Sequence, residues 1–246
     1  MKILLTLLIT LFATLSFAQN KTDGEGRKQG PWKKRYQKSA HFIYEGQFKN
    51  DKPFGEFTYY YQSGNIKAKV KFLKGGEIAY NTMYHESSGY VMAIGKYVNK
   101  QKDSLWVYYD NKGYIKSQEN YKAGKLDGQR VVYYEPLHGK TVVAKYELYT
   151  NGLRHGQVKE YYPNSKLKME GTYKSGNLEG TVKYYYGNGK LERIERYKHA
   201  VKHGWWIFFD EKTGKQLASE LFWEGTKLKG EMKKKKAAEL KAAQNK

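Results

Sequence analysis

Gly55-Glu56-Phe57-Thr58-Tyr59-Tyr60, followed by Gly64, Ile66, Phe72 and Gly75, is a phrase that the chain repeats. It returns as Ser104-Leu105-Trp106-Val107-Tyr108-Tyr109 with Gly113, Ile115, Tyr121 and Gly124, and again from Gly156, Gly180 and Gly204. Unit starts fall near Gly30, Gly55, Ala79, Ser104, Gly128, Gly156, Gly180 and Gly204. Self-similarity at a fixed period of about 24 residues means an array in which each unit touches mainly its neighbours.

Each unit reads as one β-hairpin. From Gln157 to Tyr162 strand formers dominate, and Asn164-Ser165 interrupts them. Leu167, Met169, Gly171 and Tyr173 then alternate with Lys168, Glu170 and Thr172, and Ser175-Gly176-Asn177 closes the unit. Period-two alternation between turn residues is the signature of paired antiparallel strands. Two strands of about five to seven residues and two turns fill one period. The third unit is degenerate, lacking the aromatic pair between Asn81 and Tyr84, and the fifth carries extra residues around Pro136-Leu137-His138-Gly139.

The pleat assigns faces. The second and fourth positions after the glycine point one way: Phe57 and Tyr59, Trp106 and Tyr108, Val182 and Tyr184, Trp206 and Phe208. The fifth position, Tyr60, Tyr109, Tyr133, Tyr161, Tyr185 and Phe209, points the other way. If consecutive hairpins pair, these residues form columns spaced roughly 9–10 Å apart. The second column is the candidate partner-binding surface, because flat aromatic rings beside lysines and arginines suit an extended peptide, a sugar face or an anionic polymer.

Met1 to Ala18 is a different kind of segment. Lys2 precedes an apolar run from Ile3 to Leu15, and Ser16-Phe17-Ala18 supplies small residues where a signal peptidase reads. The expectation is an export signal over residues 1–18, with a periplasmic or extracellular product. A polar lead over 19–29, the repeat array over 30–229 and a lysine-rich tail over 230–246 complete the organisation. The formal charge is +21, and there are 24 tyrosines, 4 prolines and no cysteine. Without disulfides, burial and array length must hold the fold together.

The phrase Gly-x-Trp-x-Tyr-Tyr…Gly-x-Leu…Tyr-x-x-Gly resembles MORN repeats (membrane occupation and recognition nexus), over about Gly30 to Gly230. It looks closest to the variant form in bacterial proteins that carry the label of antitoxin in toxin–antitoxin pairs. The resemblance implies an all-β fold: an elongated, twisted antiparallel sheet of about eight tandem hairpins. It also implies a scaffold for proteins or lipids rather than a catalyst.

The tail, with Lys233-Lys234-Lys235-Lys236, is rich in helix formers and strongly basic. It reads as a solvated helix or a disordered segment, with the four lysines as a candidate electrostatic anchor. They lack interleaved aromatics, which argues against sequence-specific nucleic-acid binding. Nothing supplies catalytic chemistry or a cofactor site. His199 and His203 straddle a turn, while His155 and His203 share a repeat position two units apart, too far to share a metal. The expected function is a secreted, non-catalytic scaffold binding a protein or cell-envelope partner. The alternative is adhesion to anionic lipid or glycan through the basic surface and tail, and a third is antitoxin-like neutralisation of a partner protein. Unpaired backbone at the terminal sheet edges would favour oligomerisation there.

Overall fold

The structure, a computed structural model, describes residues 20–136 and 139–244. The export-signal segment and Leu137-His138 of the fifth unit's insertion lie outside the described residues. What remains is one long open antiparallel sheet, a meander whose strands pair in chain order.

The eight expected hairpins are present. Unit 1 pairs Lys28–Arg35 with Phe42–Lys49, and unit 2 pairs Lys52–Tyr60 with Ile66–Leu73. Unit 3 pairs Ile78–Tyr84 with Val91–Val98, and unit 4 pairs Gln101–Tyr109 with Ile115–Lys122. Unit 5 pairs Lys125–Tyr133 with Val143–Thr150, and unit 6 pairs Leu153–Tyr161 with Leu167–Lys174. Unit 7 pairs Asn177–Tyr185 with Leu191–Lys198. Unit 8 pairs Gly204–Phe209 with Gln216–Trp223, and its leading strand Val201–Lys202 pairs back with Leu191–Lys198 of unit 7. Short strands Lys21–Thr22 and Thr226–Lys227 flank the ends, and a single helix, α1, spans Gly230–Gln244.

The strands exceed the expected length, reaching eight or nine residues in units 1 and 2. The reason is the tightness of the turns between units. Asn50-Asp51, Asn99-Lys100, Ser175-Gly176 and His199-Ala200 all place two successive residues at positive φ. That is the two-residue turn whose twist matches the strands it joins. The first long strand begins at Lys28.

In units 2, 5, 6 and 7 the repeated glycine does not start a strand; it forms a bulge within one. Glu45 faces Thr58 and Gln47 faces Phe54, so Gly55, Glu56 and Phe57 together oppose Gly46. Gly55 adopts φ 69°, a conformation that a bulge of this kind requires and glycine supplies cheaply. Ala79 holds that position in unit 3, and there the register runs without a break from Ala68↔Met83 to Leu73↔Ile78. The extra residues move into the preceding connection as a short 3-10 turn at Lys74–Gly76.

A single-layered sheet has no second layer to bury its core, so burial comes from stacking along rows. Phe57, Trp106, Val158, Val182 and Trp206 are buried at the second position after the unit start. Opposite every unit start stands an aromatic ring: Phe48, Phe72, Tyr97, Tyr121, Tyr149, Tyr173, Tyr197 and Phe222. A ring laid across a residue with little or no side chain protects backbone that would otherwise be bare. Phe57 packs edge-on against Phe48 at 5.2 Å and Phe72 at 5.0 Å, and Trp106 against Tyr97 at 4.9 Å. All of these rows share one face, here called the packed face.

Candidate functional site

The six fifth-position aromatics lie on the opposite face, as the pleat demands. Tyr60, Tyr109, Tyr133, Tyr161, Tyr185 and Phe209 are each half-buried. Three of the hydroxyls are engaged by the preceding strand: Tyr60 Oη donates to Glu45 Oε2 at 2.5 Å, Tyr133 to Gln118 Oε1 at 3.0 Å and Tyr185 to Glu170 Oε1 at 2.7 Å. The hydrogen bond to Glu45 pushes Tyr60 up to about 12, and burial together with Glu170 does the same for Tyr185. Tyr60 and Tyr185 stay neutral, and the hydrogen bonds orient all three rings. Tyr133 and Tyr161 also line one depression of about 530 Å³ with Val131, Val143 and Tyr146.

Sequence reasoning missed a further row one residue on. Tyr36, Tyr61, Tyr134, Tyr162 and Tyr186 donate their hydroxyls to the backbone carbonyls of Tyr60, Tyr84, Tyr161, Tyr185 and Phe209 at 2.7–2.9 Å. His85 makes the equivalent contact to the Tyr109 carbonyl at 3.2 Å. Six of the seven junctions between units are thus pinned at the same place; unit 4 carries Asp110 at this position. The signal was the third aromatic of Tyr59-Tyr60-Tyr61 and Tyr184-Tyr185-Tyr186, which period-two alternation does not explain.

A larger depression, about 650 Å³, lies across units 2 to 4. Tyr80, Ile94 and Leu105 are exposed apolar side chains there, and Lys69, Lys71 and Lys96 stand among them. Exposed apolar surface ringed by charge is a common form of partner site. None of the six fifth-position residues lines this depression.

The packed face carries a second unforeseen feature. Where Phe57 and Trp106 lie over Gly46 and Gly95, units 4, 5 and 7 place Glu119, Glu147 and Glu195 in the same row. Arg130 bridges two of them, Nε to Glu119 Oε1 at 3.0 Å and Nη1 to Glu147 Oε2 at 2.8 Å. The Glu147 side chain is 1% exposed. Its Oε1 lacks a hydrogen bond of good geometry, yet Arg154 Nε at 2.8 Å and Lys145 Nζ at 3.2 Å compensate its charge. Burial raises the pKa of Glu147, but Arg130, Lys145 and Arg154 outweigh it and hold the carboxyl below its ordinary range. The sequence signal is Glu119-Asn120-Tyr121, Glu147-Leu148-Tyr149 and Glu195-Arg196-Tyr197, set where other units have Gly-x-aromatic. The network ties units 4, 5 and 6 together across their strands.

The tail is a helix of 15 residues, which resolves the two expected states of that segment. Lys233 Nζ lies 5.3 Å from the Trp205 ring and donates to the Ser219 carbonyl, and Lys236 Nζ lies 3.6 Å from the Trp223 ring. Lys233, Lys236, Ala237 and Leu240 are half-buried at helical spacing, so the lysine stems dock the helix on unit 8. Lys234 and Lys235 remain exposed. Of the four lysines expected to act together, the fold separates two for docking from two that face solvent.

No cluster of histidine and carboxylates suited to a metal occurs among the described residues. His199 lies in the turn with positive φ, beside Glu179. No described helix is long and apolar enough to cross a membrane.

Residues 55–74, 154–175 and 178–199 match the family model of the MORN repeat variant. The three matched segments are similar to MORN repeats. The matched segments fall in units 2, 6 and 7, and the remaining units are hairpins of the same sheet. An open array of hairpins with MORN-like segments is consistent with a repeat scaffold. No curated protein matches the chain.

Proposed function

We propose that this chain is an exported, non-catalytic MORN scaffold that binds a protein or cell-envelope partner on the face opposite its packed rows. The observation that carries this is the depression of about 650 Å³ where Tyr80, Ile94 and Leu105 stay exposed among lysines. An apolar patch with a basic surround fits a partner with an apolar centre and acidic flanks. The depression at Tyr133 and Tyr161 extends the same face into unit 5 and unit 6. Export by residues 1–18 belongs to the proposal and places the partner outside the cytoplasm. That placement sets aside neutralisation of a cytoplasmic toxin.

The test compares cross-linked capture from the envelope fraction by the wild type, by Ile94→Glu/Leu105→Glu and by Tyr109→Ala/Tyr133→Ala/Tyr161→Ala. Loss of the same captured protein in both variants, with unchanged circular dichroism, is the expected result. Capture that survives both variants refutes this face. Amino-terminal sequencing of the fractionated product checks export independently.

A second proposal, adhesion to anionic lipid or glycan, draws on the formal charge of +21 and on the exposed Lys234 and Lys235. It requires binding that collapses with salt, because exposed charges are screened over about 8–10 Å. Vesicle sedimentation at low and high salt, with and without residues 230–246, separates it from the apolar patch.

A further inference from the structure

The packed face is interrupted at unit 3. Its central row reads Trp32, Phe57, Asn81, Trp106, with Asn81 where the neighbouring units carry a ring. On one side Phe57 packs against Phe72, and on the other Tyr97 packs against Trp106. Between these two aromatic pairs lies a concavity of about 370 Å³, walled by Tyr59, Val70, Phe72, Ala79 and Tyr97, with Asn81 among its lining residues. Its size falls within the range of small-molecule sites.

Three observations define what fits. The walls are rings and small aliphatic groups whose neighbours continue an aromatic stack, so a planar ring would restore the stack. Asn81 is only 7% exposed, and its Oδ1 has no hydrogen-bond partner among the described residues. A buried acceptor of this kind is costly unless something donates to it. Lys100, in the turn between units 3 and 4, is the charged residue of the lining and is itself exposed. Its ammonium therefore offers a cation at the solvent end. Asn81 stands where the flanking units carry Trp32, Phe57 and Trp106, and the glycine bulge is lost in the same unit. Both departures fall where the concavity forms.

We propose that this concavity binds a small single-ring aromatic acid bearing a hydroxyl group. The ring stacks between Phe72 and Tyr97, the hydroxyl donates to Asn81 Oδ1, and the carboxylate faces Lys100. The concavity opens on the packed face, and Val70 and Asn81, which line it, also line the depression of the partner surface proposed on the other face of the sheet.

The experiment is isothermal titration of the intact chain with 4-hydroxybenzoate and with benzoate, at low and high salt. Wild-type protein should bind 4-hydroxybenzoate saturably at one site. Benzoate, lacking the donor, should bind at least about tenfold more weakly, because it leaves the Asn81 acceptor unpaired. Asn81→Leu should abolish that preference. Lys100→Asn, chosen because asparagine accepts the positive φ of 63° at this turn, should weaken both ligands and flatten the salt dependence. Absence of saturable binding overturns the proposal, as does equal affinity for the two ligands. If Asn81→Leu does not fold, Lys100→Asn decides: unchanged affinity and salt response for 4-hydroxybenzoate also overturn it.

Discussion

At Gly95 the fold tolerates no side chain. A Cβ there would lie 2.1 Å from Cδ2 of the buried Trp106 ring, and at Gly46 the equivalent atom would lie 2.3 Å from the Phe57 ring. Gly95→Ala should destabilise the protein by about 1–3 kcal/mol through overpacking. Denaturant unfolding checks this, and a neutral result would mean that Trp106 can move aside. At Tyr162 the hydroxyl pins unit 6 to unit 7, and Tyr162→Phe should cost about 1 kcal/mol in the same assay. Glu147 sets the pH response. A carboxyl whose folded pKa lies below its unfolded value contributes fully above the unfolded value and loses that contribution as pH falls through the folded one. Glu147 is shifted downward from its ordinary 4.5, so stability should decline below about pH 4.5. Glu147→Gln should lower stability at neutral pH by about 2 kcal/mol, less than for a fully buried pair because its cationic partners are partly solvated. It should also show a shallower acid decline than the wild type. An unchanged pH profile would remove Glu147 from the acid response.

At the scale of the element, two devices make each hairpin fit the next. The two-residue turn with consecutive positive φ sets the hand of the twist, and the bulge at the unit's glycine bends the strand so that the second-position ring lies flat on the packed face. Helix α1 is docked differently, by lysine stems on Trp205 and Trp223 rather than by an apolar stripe. Removing residues 230–246 should leave the β signature in circular dichroism intact and shift tryptophan emission to the red as those two rings become wet. No spectral change would mean that the helix does not hold this position in solution. Unit 3 lacks both its bulge and its central ring. Native-state hydrogen exchange should therefore find it opening at least about tenfold more readily than units 6 and 7, where Val158, Met169 and Val182 form a closed cluster. Equal protection would show that its neighbours stabilise it fully.

At the scale of the whole molecule, a single sheet of this many strands extends roughly 70 Å at ordinary strand spacing. Its stability is a sum over units and the contacts between them. Both ends of the described sheet carry short strands of two residues, Lys21–Thr22 and Thr226–Lys227. The period, the hairpins, the eight units and the face of each aromatic row were legible in the sequence, because the spacing of Phe57, Trp106, Val182 and Trp206 follows directly from the pleat. The apolar depression at Tyr80, Ile94 and Leu105 was not legible. Those residues come from three different strands, and only the register Tyr80↔Lys96 and Ile94↔Val107 brings them onto one patch. The tail's docking was equally hidden, since lysines that pack on rings read in sequence as free charge.

By itself the sequence determined the repeat, the strand pairing and the two-faced character of the ribbon, because a side-chain period of two within a unit period of about 24 leaves few other solutions. Tertiary structure alone decided where that regularity fails to close. The fifth-position rings became half-buried and partly hydrogen-bonded, Glu147 was sealed among three cations, and Asn81 was left with an unmatched acceptor between two aromatic pairs. Such outcomes depend on cross-strand register and on what lies opposite each residue, which one-dimensional spacing does not encode.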